Sequence, residues 1–112
     1  MSDQFPDVDN AALDALRDLM QEDYPLLLET FLADAHVRLT QLREALVSED
    51  LEAFRQAAHS FKGSCGNMGA LALEQACLNA EKAAQQGDAE RASNSYSRIR
   101  ERFTRLQAIL SC

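Results

Sequence analysis

Nowhere does this sequence hold an apolar run approaching the roughly 20 residues that span a bilayer. Its start, Met1-Ser2-Asp3-Gln4, has neither the basic region nor the apolar segment of a secretory signal, and a soluble, cytoplasmic protein is expected. Cations are scarce: 11 Lys and Arg stand against 18 Asp and Glu, for a formal net charge of −7. Such a chain repels a phosphate backbone unless its cations are gathered into a patch, so neither nucleic acid nor a membrane is an expected partner. The three cysteines, Cys65, Cys77 and Cys112, form no CxxC pair and are odd in number. That suits a reducing compartment better than a disulfide framework, and Cys65 and Cys77 read as buried apolar thiols. A Gly-rich nucleotide loop, a hydrolase motif and any Glu-x-x-His or His-x-x-x-His ligand pair are also missing. These absences argue against an autonomous kinase or hydrolase and against a metal-binding bundle; no metal or cofactor is expected.

What is present is helical periodicity. At 112 residues the chain has room for one domain with one core. A first helix is expected after Asp9, a good N-cap, with Val8 and Leu13 placed as a hydrophobic staple and Leu13, Leu16 and Met20 on one face. Pro25 after a polar break opens a long second helix, where Leu28, Leu32, Ala35, Leu39, Leu42 and Leu46 recur in alternating steps of four and three, widened by Leu27 and Phe31. Ser48-Glu49-Asp50 breaks it. A third helix carries Phe54, Ala58, Phe61, Cys65 and Met68 and ends near Gly69-Ala70; a fourth carries Leu73, Cys77, Ala80 and Ala84. Gly87-Asp88 reads as a stop followed by an N-cap, and the last helix carries Ala92, Tyr96, Ile99, Phe103, Leu106 and Leu110. The fold expected is all-α: an antiparallel up-down-up-down four-helix bundle over residues 9–112, with the short first helix across one end and residues 1–8 as a flexible arm.

Chemistry is concentrated at His59-Ser60-Phe61-Lys62-Gly63. His59 stands about 100 degrees round the helix from Ala58, at the edge of the core stripe, supported yet open. In its neutral form such an imidazole is a nucleophile. Lys62 at i+3 can offset the charge of a phosphoryl group on it. Helical side chains lean toward the N-terminus, so Gly63 at i+4 leaves uncovered what a larger residue would mask, at a cost of about 1 kcal/mol relative to Ala. Gly66 one turn on and Arg55 one turn before extend the strip, which looks flattened for docking. His36 is the contrast: Leu39 and Thr40 fill its i+3 and i+4 positions.

The stretch Ala58-His59-Ser60-Phe61-Lys62-Gly63-Ser64-Cys65-Gly66-Asn67-Met68-Gly69-Ala70 closely resembles the signature of histidine-containing phosphotransfer (HPt) domains, and the surrounding helix order is similar too. The resemblance is greatest to small stand-alone bacterial HPt proteins of multistep phosphorelays. It implies a phosphocarrier rather than an enzyme: His59 takes a phosphoryl group from a receiver-domain phosphoaspartate of a hybrid sensor kinase and gives it to a response-regulator aspartate. Magnesium would belong to the receiver, and HPt proteins of this size are generally monomers. If the third and fourth helices turn near Ala70, residues equally far from the turn stand level, which pairs His59 with Glu81, eleven steps on either side. HPt domains often carry Gln or Glu at this level, and a carboxylate there could accept the Nδ1 proton. The alternative is a helical module that binds a receiver domain without carrying phosphate.

Overall fold

The computed structural model describes residues 5–111, of which five α-helices occupy most. These are α1 (Asn10–Met20), α2 (Tyr24–Val47), α3 (Leu51–Asn67), α4 (Leu71–Gln85) and α5 (Ala89–Leu110), with a 3-10 turn, Gln21–Asp23, between the first two. No strand occurs among the described residues. Packing of α2 on α3, α3 on α4, α4 on α5 and α5 back on α2 closes the antiparallel four-helix ring. No helix among the described residues is long and apolar enough to cross a membrane.

The helix boundaries follow from local chemistry. Asp9, Asp50 and Asp88 cap α1, α3 and α5, their carboxylates accepting from the amides of Ala12, Ala53 and Arg91, each worth about 1 kcal/mol. The three turns around the ring share one design. Glu49, Gly69 and Gly87 take positive φ (57°, 68° and 70°), and the next residue's amide reaches back to Ala45, Cys65 and Ala83, respectively, at 2.9–3.0 Å. This left-handed closure satisfies an orphan carbonyl of the finished helix and delivers the chain straight to the next N-cap. Gly69 has a second reason to lack a side chain: a Cβ there would meet Ala12 and Asp9, and its carbonyl accepts from the Asp9 amide at 2.8 Å. That contact sets α1 across the α3–α4 end of the bundle.

Phe54, Phe61, Leu42, Leu73, Ile99 and Leu106 fill the core, with Cys65 and Cys77 also buried among them. On α2 the deepest residues are Phe31, Ala35, Leu42 and Ala45, while Leu28, Leu32, Leu39 and Leu46 are only half-buried against the core. Because α2 must face both α3 and α5, its buried side is turned toward the flank that Phe31 was expected merely to widen. The core side of α4 is mostly small, Ala72, Ala76, Ala80 and Ala83, so its neighbours approach closely. Arg102, unremarked in the sequence, is buried.

Of the expected arm, residues 1–4 lie outside the described residues, as does Cys112. Its described end is pinned rather than loose. The Pro6 carbonyl accepts from the Ala72 amide at 3.0 Å, Asp7 pairs with Arg105 at 2.8 Å, and Val8 packs on the core.

Candidate functional site

The middle of α3 turns Phe54, Ala58, Phe61 and Cys65 inward, which leaves His59 at the rim of the α3–α4 seam. Its side chain is 62% exposed, whereas Glu81, across the seam on α4, is 8% exposed. The two meet: His59 Nδ1 lies 2.9 Å from Glu81 Oε2. The other oxygen, Oε1, accepts from Lys62 Nζ at 2.8 Å. One nearly buried carboxylate therefore holds both side chains of the His-x-x-Lys pair, one on each oxygen.

Burial pushes the Glu81 carboxyl up, but the hydrogen bonds and charges of Lys62 and His59 outweigh it and hold the group below its ordinary value. Glu81 is accordingly ionised at neutral pH. An ionised carboxylate can only accept, so in the neutral imidazole the proton belongs to Nδ1 and the lone pair to Nε2. The second nitrogen of the exposed ring is thus nucleophilic.

Around the ring the surface is bare on the side of Gly63, where an added Cβ would meet nothing within 4 Å. Gly66 is different. A Cβ there would come within 2.9 Å of Glu74 Oε2, so an acidic side chain lies alongside this part of the strip, although Gly66 itself is exposed. Arg55 is not a free cation either: its guanidinium makes a fork to Glu52, Nε to Oε1 at 2.9 Å and Nη2 to Oε2 at 2.6 Å. Hydrogen bonds from Arg55 and Gln56 pull the Glu52 carboxyl down to about 2. Lys62, expected beside His59, is turned to Glu81. Glu52 and Glu74 escaped the sequence reading, although each left a signal. Glu52 sits at i−3 from Arg55, and Glu74 is level with Gly66 by the same count about Ala70 that pairs Glu81 with His59. His36 has no such surroundings; its ring meets the edge of Phe103, with centroids 5.3 Å apart at 87°.

The family model for the Hpt domain matches residues 26–109. The chain belongs to the Hpt domain family. As an Hpt protein it is a histidine phosphotransfer protein of phosphorelays. Among solved structures it is similar to histidine-containing phosphotransfer protein B (HptB) from Pseudomonas aeruginosa PAO1, 36% identical with a TM-score of 0.92 over 95% of this chain and 92% of that one. It also resembles the histidine-containing phosphotransfer protein ZmHP2 from maize, TM-score 0.85 over 94% of this chain and 80% of that one. At 19% identity the maize likeness concerns the fold alone. No curated protein matches in sequence.

Proposed function

We propose that His59 Nε2 is the atom that carries the phosphoryl group, taking it from a receiver-domain phosphoaspartate and passing it to the aspartate of a response regulator. The observation that carries this reading is the hydrogen bond of Nδ1 to Glu81 beneath an exposed ring. The Nε2 lone pair attacks phosphorus; the N–P bond forms as the P–O bond of the acyl phosphate breaks, and the aspartate leaves as a carboxylate. With Nδ1–H retained, the phosphorylated ring is cationic, and the Glu81 carboxylate stabilises that charge in place, an electrostatic contribution that needs no rearrangement. Lys62 is the mobile partner: its flexible stem lets it shift from Glu81 toward the phosphoryl oxygens. Gly63 clears the approach, and the strip from Arg55 through Gly66 receives the partner.

In this reading the protein is a monomeric, cytoplasmic phosphocarrier that binds receiver domains of a hybrid sensor kinase and a response regulator. It has no kinase or hydrolase activity of its own and no cofactor, and catalytic magnesium comes with the receiver. The test is uptake of acid-labile, base-stable phosphate from a phosphorylated receiver. Wild type and His36→Gln are expected to take it up and His59→Gln to take up none while melting normally. Label retained by His59→Gln would overturn the assignment.

A further inference from the structure

In the α3–α4 hairpin, residues equally far from Ala70 stand level, so the pair His59 and Glu81 is repeated two turns on by Gly66 and Glu74. Two turns of helix are about 10 Å. At the second pair the glycine matters for a close approach: Glu74 Oε2 lies 2.9 Å, and Cδ 3.5 Å, from where a Cβ on residue 66 would stand. A Cβ there would push the flexible end of Glu74 aside. The missing side chain is what lets the Glu74 carboxylate lie over α3, at the edge of the face that presents His59.

The other charges of that face are paired, Arg55 with Glu52 and Lys62 with Glu81. Beyond its backbone amide, which donates to the Ala70 carbonyl at 2.9 Å, Glu74 has a side chain that makes no hydrogen bond or ion pair with any described residue. Part-shielded from water without a partner, a carboxylate gains only when a cation arrives from outside. Such a cation would also serve association, because a chain of net charge −7 and the acidic phosphorylation pocket of a receiver repel each other, and a local pair of opposite charges fixes orientation.

We propose that Glu74 is a receiver-selecting contact, which accepts a Lys or Arg that the docked receiver domain presents about 10 Å from its phosphoaspartate. The inference rests on the reading of His59 as the phosphoryl carrier. Glu74 also stands in the first turn of α4, where an acid favours the helix by itself, so melting alone cannot test the idea.

The deciding experiment is a kinetic one. Transfer from a panel of phosphorylated receiver domains of the source organism is measured for wild type, Glu74→Gln and Glu74→Lys at two salt concentrations. Glu74→Gln is expected to raise KM for the preferred receiver about two- to fivefold with kcat altered less than about twofold, the range of an exposed ion pair, and to flatten the salt dependence. Glu74→Lys is expected to reorder the panel, and a Lys or Arg→Glu exchange on the preferred receiver to restore it. An unchanged KM, salt slope and receiver order in both variants would overturn the proposal, whatever happens to their melting temperatures. A wild type that labels at His59 beside variants that discriminate normally defeats this inference alone, whereas a wild type that no receiver labels at His59 defeats the carrier reading and this inference with it. Should Glu74→Lys fail to fold, the KM and salt response of Glu74→Gln decide.

Discussion

The protein contains two histidines, both exposed on long helices, and their surroundings differ in every respect that matters for phosphoryl chemistry. His59 has an ionised carboxylate on one ring nitrogen, an ammonium on the same carboxylate and bare helix at i+4. His36 lies edge-on to Phe103, with Leu39 and Thr40 one turn along. An exposed imidazole is therefore not in itself a phosphoryl acceptor. A neighbouring helix must hold its proton in place, and its own helix must leave the approach open.

The largest way to break this contrast is to fill the i+4 position of His59, as Thr40 fills that of His36. Gly63→Gln is expected to lose most transfer yet fold with equal or slightly greater stability, by up to about 1 kcal/mol from helix propensity, since position 63 faces open space. Thr40→Gln, the same change at the corresponding position beside His36, is expected to leave transfer unchanged. Thermal melts and receiver-to-protein transfer on the same preparations check both. Next in size is Glu81→Gln. The variant keeps a hydrogen-bond acceptor but no charge, and a hydrogen bond to a charged group is worth about 1.5–3 kcal/mol. Single-turnover transfer is expected to slow about ten- to a hundredfold with labelling still at His59.

Lys62→Ala sharpens the contrast more gently. It leaves Glu81 to His59 alone and removes the charge from the phosphoryl oxygens, so transfer is expected to slow, or the phosphohistidine lifetime to shorten, by about three- to tenfold with the site of labelling unchanged. The smallest effect is on stability. The Glu81 carboxyl is held below its ordinary value of 4.5 by Lys62 and His59 against the opposing effect of burial. Its contribution is therefore fully present above the unfolded value and is lost as pH falls through the lower folded one. Wild type is expected to exceed Glu81→Gln in stability by a constant margin near neutrality that narrows below about pH 4.5, as denaturant melts at several pH values would show.

Much of this was legible in the sequence for local reasons. Asp9, Asp50 and Gly87-Asp88 announce their boundaries because caps and left-handed closures use side chains within one turn. The placement of His59, Lys62 and Gly63 on one face needs only the pitch of a single helix. Contacts between helices were harder. Counting back from the turn puts Glu81 level with His59, yet the same count was not carried to Gly66 and Glu74, and a glycine clearing looks alike in sequence whether solvent or a neighbour's carboxylate fills it. The rotation of α2 was likewise hidden: a near-heptad stripe names the buried side, but whether Phe31 or Leu32 goes deepest depends on how α3 and α5 divide that side between them. At the described end of the expected arm, the contacts of Pro6 and Asp7 were hidden because their partners, Ala72 and Arg105, are distant in sequence.

The central claim, that Glu81 keeps the proton on Nδ1 so that Nε2 of His59 carries phosphorus, is tested most directly by nitrogen–phosphorus correlation in NMR spectra of the protein labelled with 15N-histidine and phosphorylated by a receiver domain. The account predicts one phosphorus coupled to Nε2 of His59, with Nδ1 still protonated and His36 unchanged. Phosphorus on Nδ1 of His59, or on any other residue, would contradict it.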